Sequence, residues 1–329
     1  MSSSKLSRSI GRLVFLRISS VFFFTMLSQV SAACIVSSEN GYSQWFTGPI
    51  VTPNPTTVPP GHPGLELVLI GSKNYGFYDS HGDLKRTPAT WGIRPLFDFQ
   101  VGFNSVLGAE LIGSMVTNFS YGVSSTHLTD SIFRLGFQVS TDKKASWVPD
   151  FRILFQETFP TGKYQKFDPK KKGTDSTGQG SFQTGIQFVF QKAFLATETH
   201  PFRLRGSIGY FVPSSVTVKG LSYYGGDPTT RGTVYLGKYF SGFFYGEYAL
   251  SRTWALACEV NYLQGEKGGF AKKRGSKIEV PSFNQLSILP EIQHTYTENL
   301  GLILGGWFTV AGKNSIAFSK IFGAVLFLF

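Results

Sequence analysis

Charged residues recur inside segments that are otherwise apolar, and they do so at every second position. Arg134 lies between Phe133 and Leu135, and Arg152 lies between Phe151 and Ile153. On a lipid-facing surface an arginine costs about 2–4 kcal/mol at the membrane midplane, so such residues belong on the inner face of a barrel. We predict that the following residues line a lumen: Arg94, Asp98, Arg134, Asp150, Arg152, Arg203, Arg205, Glu247 and Glu259.

Side chains of both signs on one face leave two interpretations open. They can form the hydrogen-bonding lining of an aqueous passage, or they can pair with one another and fill the interior. A barrel of about twelve strands is intermediate between filled eight-stranded and open sixteen-stranded barrels. The mixture of signs argues against strong selectivity for cations or anions.

Two basic clusters lie in segments that we predict to be loops. Such charge could bind nucleic acid, but an exported protein meets the phosphates of lipopolysaccharide first. We therefore predict contact with lipopolysaccharide and no nucleic acid, with merely solvated lysines as the alternative. The residues are Lys163, Lys170, Lys171 and Lys172 in one loop, and Lys272, Lys273 and Arg274 in another.

Motifs for catalysis or cofactor binding are weak. The segment "PTGKY" (160–164) lacks the glycine spacing and the hydroxyl residue of a phosphate-binding loop. The five histidines are scattered without metal-ligand spacing. We predict no enzyme, no metal and no cofactor. Whether Cys34 is lipidated or pairs with Cys258 stays open.

The segments that carry these residues are predicted to be β-strands. Apolar side chains alternate with polar ones over runs of about ten residues, which is the length of a membrane-spanning strand. Large aromatic residues dominate the apolar face, which suits lipid better than the core of a soluble sandwich. The predicted strands centre near Leu67, Phe97, Leu111, Leu135, Leu154, Phe188, Ile208, Phe244, Leu256, Ile288, Leu304 and Leu326.

Connections between these strands alternate in length. We predict long loops at 80–90, 121–129, 160–180, 213–232 and 264–281, and short turns between them. The fold class is therefore all-β: a transmembrane antiparallel β-barrel of about twelve strands, with both termini in the periplasm. An open edge is forbidden in hydrocarbon, so "AVLFLF" (324–329) must pair with the first strand. Its terminal aromatic resembles the signal that the barrel-assembly machinery reads.

The amino-terminal region differs from the rest. Residues 1–32 combine Lys5, Arg8, Arg12 and Arg17 with a short apolar run and a small-residue cleavage site, as in a secretory signal peptide. Residues 33–63 are proline-rich and predict an irregular segment, and 64–329 form the barrel. Export and the barrel pattern together predict location in the bacterial outer membrane.

One stretch resembles a known family. Residues 155–185 carry Pro160-Thr161-Gly162, then Gly173-Thr174-Asp175 and a glycine-bearing strand. This is similar to the outer-membrane transporters assigned to meta-pathway phenol degradation, as is the hairpin at 241–262. The resemblance implies a barrel that passes small molecules.

From these patterns we predict a channel for the passive passage of small solutes, hydrophobic or aromatic ones included. The alternative is a filled barrel whose basic loops contact lipopolysaccharide or other surfaces. Whether the lumen is open or plugged by the lead-in segment is left undecided.

Overall fold

Strands make up most of the structure, a computed structural model that describes residues 46–142, 147–194 and 200–329. The predicted signal peptide and Cys34 lie outside the described residues. The strands are Gly64–Tyr78 (β1), Leu84–Gly102 (β2), Leu107–Ser120 (β3), Val123–Leu128 (β4), Ser131–Ser140 (β5), Asp150–Phe159 (β6), Gln183–Phe194 (β7), Phe202–Pro213 (β8), Val216–Lys219 (β9), Arg231–Tyr235 (β10), Tyr239–Ala249 (β11), Trp254–Gly265 (β12), Gly269–Arg274 (β13), Phe283–Thr297 (β14), Leu300–Lys313 (β15) and Ser315–Leu328 (β16).

Twelve of these strands close into a barrel. The order around the wall is β1, β2, β3, β5, β6, β7, β8, β11, β12, β14, β15 and β16, and every neighbouring pair is antiparallel. β16 pairs with β1 along its length, from Gly64 opposite Leu328 to Tyr78 opposite Ser315. The predictions of a closed antiparallel barrel and of a closing carboxyl-terminal strand are confirmed.

The outer surface of the barrel is a band of large apolar side chains. Alternation places Leu67 and Leu69 outward on β1, while Val68 and Ile70 are buried inside. Such a band is expected against lipid. No helix in the described part of the chain is long and apolar enough to cross a membrane. The outward residues include Phe97, Phe99, Phe133, Phe155, Ile208, Phe244, Leu256 and Leu304.

The two ends of the barrel differ. At one, here called the turn end, the connections are short and both Gly64 and Phe329 lie there. At the other, the loop end, most connections are long. The predicted loop at 80–90 is wrong, because β1 and β2 continue to Tyr78 and Leu84 and are joined by a tight turn. The polar extension of β2 lacks the apolar alternation that marks a lipid-facing strand.

Three short strands stand outside the barrel at the loop end. β9, β10 and β13 form a small antiparallel sheet from two connections that we predicted as loops. It has its own buried cluster, which includes Val218, Tyr224 and Val234. The sheet packs on residues 160–182, with the Tyr224 hydroxyl donating to the Gln179 carbonyl at 2.6 Å. β4 extends the barrel locally as a hairpin with β3.

Candidate functional site

The inner face of the barrel is the candidate site. The structure places the nine charged residues predicted for the lumen on inward positions of β2, β5, β6, β8, β11 and β12, with Arg94 and Arg203 partly buried and the others buried. They are joined there by glutamine, serine and threonine side chains. Very little of this surface faces open water, because side chains and a chain segment fill the space.

Glu110 organises one half of the polar interior. Its two carboxylate oxygens accept from Arg134 at 2.9 Å and from Arg152 at 3.1 Å. Arg134 also donates to Gln156 at 2.9 Å, and Gln187 donates to the same amide oxygen. These side chains come from four neighbouring strands, so the ion pairs tie the wall together from inside.

A second polar group lies toward the turn end. Arg205 donates to Gln191 at 2.9 and 2.6 Å, and Gln191 donates to Asp150 at 3.0 Å. Arg203 pairs with Glu247, which also accepts from the Tyr245 hydroxyl. Of the nine predicted residues, these contacts bring Asp150 and Arg205 into one network and Arg203 and Glu247 into another.

Residues 46–59 of the proline-rich segment lie inside the lumen, and Pro60, Gly61 and His62 are exposed at the turn end. The segment begins at the turn end, where Phe46 packs on Ala249 and Ala255, and the Arg203 guanidinium lies 4.8 Å from the Phe46 ring centroid. It rises to Ile50 and Val51, then returns to the turn end and joins β1. Residues 46–60 are called the inserted segment below.

Glu259 holds the apex of the inserted segment from the middle of β12. Its carboxylate accepts from the Val51 amide at 3.0 Å, and from the amide and hydroxyl of Thr52 at 2.7 and 2.6 Å. Ile50 and Val51 are each 1% exposed and join an apolar cluster with inward residues such as Phe243, Leu289 and Trp307. The apex therefore closes the lumen at mid-height.

The returning limb is held through its carbonyl groups. Arg152 donates to the carbonyls of Asn54 and Thr56 at 3.2 Å, and Gln138 donates to the Pro55 carbonyl at 2.9 Å. Proline has no amide hydrogen, so a proline-rich limb presents mainly acceptors. Arginine and glutamine donors on the wall match it. Of the predicted lining residues, Arg152 and Glu259 thus bind backbone of the inserted segment.

Glycine lets the limb approach the wall closely. Pro60 bridges to Gly102 on β2, where a Cβ would lie 1.8 Å from the Val58 carbonyl oxygen. Any other residue at position 102 would displace the limb. Sequence reasoning had no signal for this contact, since a single glycine at a strand end is common.

Residues 160–182 fold over the loop end of the barrel. Asp130 accepts from the amides of Gly162 and Gln179 at 2.9 and 2.7 Å. Asn118 on β3 donates to the carbonyls of Thr174 and Ser176 at 3.1 and 3.3 Å. The loop that carries the family-like motif is therefore a folded cap, fixed at both ends.

The predicted basic clusters lie at the loop end. Lys170 and Lys171 belong to a short 3-10 turn, Pro169–Lys171, followed by Lys172, and all three are exposed. Lys272, Lys273 and Arg274 are exposed on β13. Lys163 differs, because it pairs with the buried Asp175 at 2.7 Å. It serves the cap rather than the outer surface.

Several inward residues were not predicted. Glu66, Glu291 and Gln293 are buried in the lumen, and Gln293 exchanges hydrogen bonds with the inserted segment at Thr47 and Gly48. The alternation of these residues with apolar neighbours is the sequence signal that could have identified them as inward. Within the described residues no group of His, Cys, Asp and Glu is arranged to hold a metal ion.

We expect Glu259→Gln to release the apex of the inserted segment. A glutamine keeps the size of the side chain but loses the charge and one acceptor, and hydrogen bonds to charged groups are worth about 1.5–3 kcal/mol. Backbone amides at Val51 and Thr52 should exchange with deuterium at least roughly tenfold faster. Glu279→Gln, an exposed change at the loop end, is the matched control. Unchanged exchange would show that Glu259 does not anchor the segment.

The cap should be held more tightly in acid than at neutral pH. Burial raises the pKa of Asp130 to about 6, against the two backbone hydrogen bonds that lower it. A released cap exposes the carboxyl and returns its pKa toward 3.8, so the folded cap binds more protons between these values. Going from pH 7 to pH 5 should favour the folded cap roughly tenfold.

Hydrogen exchange of residues 160–182, corrected for intrinsic rates, measures this. Asp130→Asn cannot titrate and should lose the pH dependence. Faster corrected exchange at pH 5 than at pH 7 in the natural chain would contradict the assignment.

Comparison with known proteins gives a match of structure only. Neither a known family profile nor a curated protein matches the sequence. An outer membrane channel of the COG4313 type from Pseudomonas putida F1 superposes with a TM-score of 0.62 at 13% identity, over 83% of this chain and 97% of that one. The chain has the outer-membrane β-barrel fold.

Two further solved structures are more distant. The translocator domain of the autotransporter NalP from Neisseria meningitidis matches with a TM-score of 0.44 at 11% identity, over 81% of this chain and 88% of that one. A TodX monoaromatic hydrocarbon channel mutant matches with a TM-score of 0.39 at 10% identity, over 82% and 91%. At these scores neither carries an argument about this chain.

Proposed function

We propose that this protein is a channel of the bacterial outer membrane for passive passage of small solutes, hydrophobic or aromatic ones included. Its turn end faces the periplasm and its loop end faces outward. In the state described, the inserted segment closes the lumen, and passage requires that segment to move toward the turn end.

The observation that carries this proposal is the occupant of the lumen. A barrel that serves only as a scaffold can fill its interior with its own strand side chains, as small barrels do. Here the wall leaves room for two limbs of a separate chain segment, which contributes no strand to the barrel. Polar contacts such as those of Glu259 and Gln293 hold this segment, and polar contacts can be exchanged for water.

Two further points support a channel. The solved structure that matches with a TM-score of 0.62 is an outer membrane channel. The resemblance of residues 155–185 to transporters of phenol degradation points to small solutes and stays a prediction, as does the absence of enzymatic activity.

The competing proposal is an interaction barrel that never opens. Its support is the exposed charge on β13, where Lys272, Lys273 and Arg274 can reach the phosphates of lipopolysaccharide. If this competing proposal holds, changing all three to glutamine weakens binding to lipopolysaccharide vesicles. If the channel proposal holds, the same change leaves solute passage unchanged.

Liposome swelling with small polar solutes of increasing size tests the channel directly. The full-length barrel should admit solutes slowly and with a size limit, and Glu259→Gln should admit them faster than Glu279→Gln does. Vesicles that never swell with either variant, although the barrel is inserted and folded, would refute the channel.

A further inference from the structure

A second feature of the lumen lies between the apolar cluster and the cap. A cavity opens there against β1, β2, β3 and β16, roofed by Ser176 and Thr177 of residues 160–182. The volume accessible to water is about 40 Å³. Asn118, which holds the cap through Ser176, is also part of the cavity lining.

Two cationic side chains line this cavity. Ser72 on β1 lies opposite Lys320 on β16 and opposite Gly92 on β2, and Arg94 follows Gly92 by two residues on the same face. Lys320 and Arg94 therefore flank Ser72 from both sides. A Cβ on Gly92 would lie 2.7 Å from the Ser72 Oγ, so the glycine keeps this wall open.

Neither cation is neutralised by a carboxylate. The side chains of Arg94 and Lys320 form no hydrogen bond or ion pair with another residue in the part of the chain that the structure describes. Asp130 forms no ion pair with Arg94, and both of its oxygens already accept backbone amides of the cap. Lys320 instead lies 4.0 Å from the Trp307 ring centroid and 4.2 Å from that of Phe318.

The rest of the lining includes apolar residues. Ile316 and Phe318 form an apolar wall on β16 beside Lys320, with Phe318 opposite Asn74 of β1, and Val116 lies across the cavity on β3. A cavity with two basic side chains that lack a carboxylate partner, and with an apolar wall, suits a molecule with one acidic end and one hydrocarbon end. An inorganic oxyanion would leave the apolar wall in contact with water.

We propose that this cavity binds a short-chain monocarboxylate, with its carboxylate between Arg94 and Lys320 and its alkyl chain on Ile316 and Phe318. This proposal rests on the proposed function and adds to it one class of solute that binds in the lumen. The cavity lies on the loop-end side of the inserted segment. A solute that enters from outside would therefore reach this site before it reaches the inserted segment.

Calorimetric titration of the purified full-length chain tests the site without any transport. Butyrate should bind saturably, and butyramide, which lacks the charge, roughly tenfold or more weakly. Lys320→Met and Arg94→Gln should each weaken butyrate roughly tenfold. Lys73→Met is the matched control, because Lys73 neighbours Ser72 but lies over Trp91 at 5.0 Å, away from the cavity. If a variant does not fold, the comparison of butyrate with butyramide on the natural chain decides.

Three results would overturn the proposal. Equal binding of butyrate and butyramide would show that the cations do not act on the solute. Inorganic phosphate binding as tightly as butyrate would show that the apolar wall plays no part. No binding of butyrate, in protein that still swells liposomes, would remove the site and leave the channel standing. Butyrate binding in a barrel that never conducts would support the site and refute the channel.

Discussion

Deleting residues 46–60 should raise the single-channel conductance of the barrel in a planar bilayer about tenfold or more. The inserted segment fills the lumen at mid-height, where Ile50 and Val51 are each 1% exposed within an apolar cluster. Apolar residues in a narrow lumen exclude water and ions. Removing the segment leaves Glu259, Gln293 and Arg152 free to be hydrated.

The deletion does not remove any strand, so the barrel should still form and should still shift in mobility when heated in detergent. A double change of Lys272 and Lys273 to glutamine is the control, because it alters charge at the loop end and leaves the segment in place. A folded deletion variant that conducts no better than the natural chain would show that the segment is not the barrier.

Replacing Glu110 by glutamine should lower the free energy of unfolding by about 3 kcal/mol, in the range of 3–5 kcal/mol for a broken buried ion pair. The change leaves Arg134 and Arg152 inside the barrel without the carboxylate that lies 2.9 and 3.1 Å away. We expect the lower end of the range because Arg134 keeps Gln156 and Arg152 keeps the carbonyls of the inserted segment.

Urea unfolding in lipid vesicles, followed by tryptophan fluorescence, measures the loss. Glu279→Gln is the matched control, since Glu279 is exposed at the loop end. It should change stability by no more than about 0.5 kcal/mol. A loss under about 1 kcal/mol for Glu110→Gln would mean that the ion pairs contribute little.

The barrel itself could be predicted from the sequence because lipid imposes a strict pattern. Each barrel strand must place apolar residues outward at every second position, and every predicted strand centre, from Leu67 to Leu326, falls within a barrel strand. β4, β9, β10 and β13 were missed since runs of four to six residues in water carry no such pattern. The polar ends of β1 and β2 were missed for the same reason.

The state of the lumen could not be predicted. Alternation identifies inward residues such as Arg152 and Glu259, but it does not say what they bind. Their partners are backbone groups of a proline-rich segment about one hundred and two hundred residues away in sequence. Binding to backbone carbonyls and amides does not change the alternation of polar and apolar side chains along a strand. An open lumen and an occupied lumen therefore give the same sequence pattern.

The reactivity of a cysteine at position 51 tests the central claim most directly. Val51→Cys, with Cys34 and Cys258 changed to serine, is placed in lipid vesicles and treated with a membrane-impermeant maleimide. We predict that labelling is slow in the otherwise natural chain and that Glu259→Gln speeds both labelling and solute passage together. A cysteine at position 51 that reacts as fast as one at an exposed loop position such as Glu279, in a barrel that passes no more solute, would contradict a lumen closed by the inserted segment.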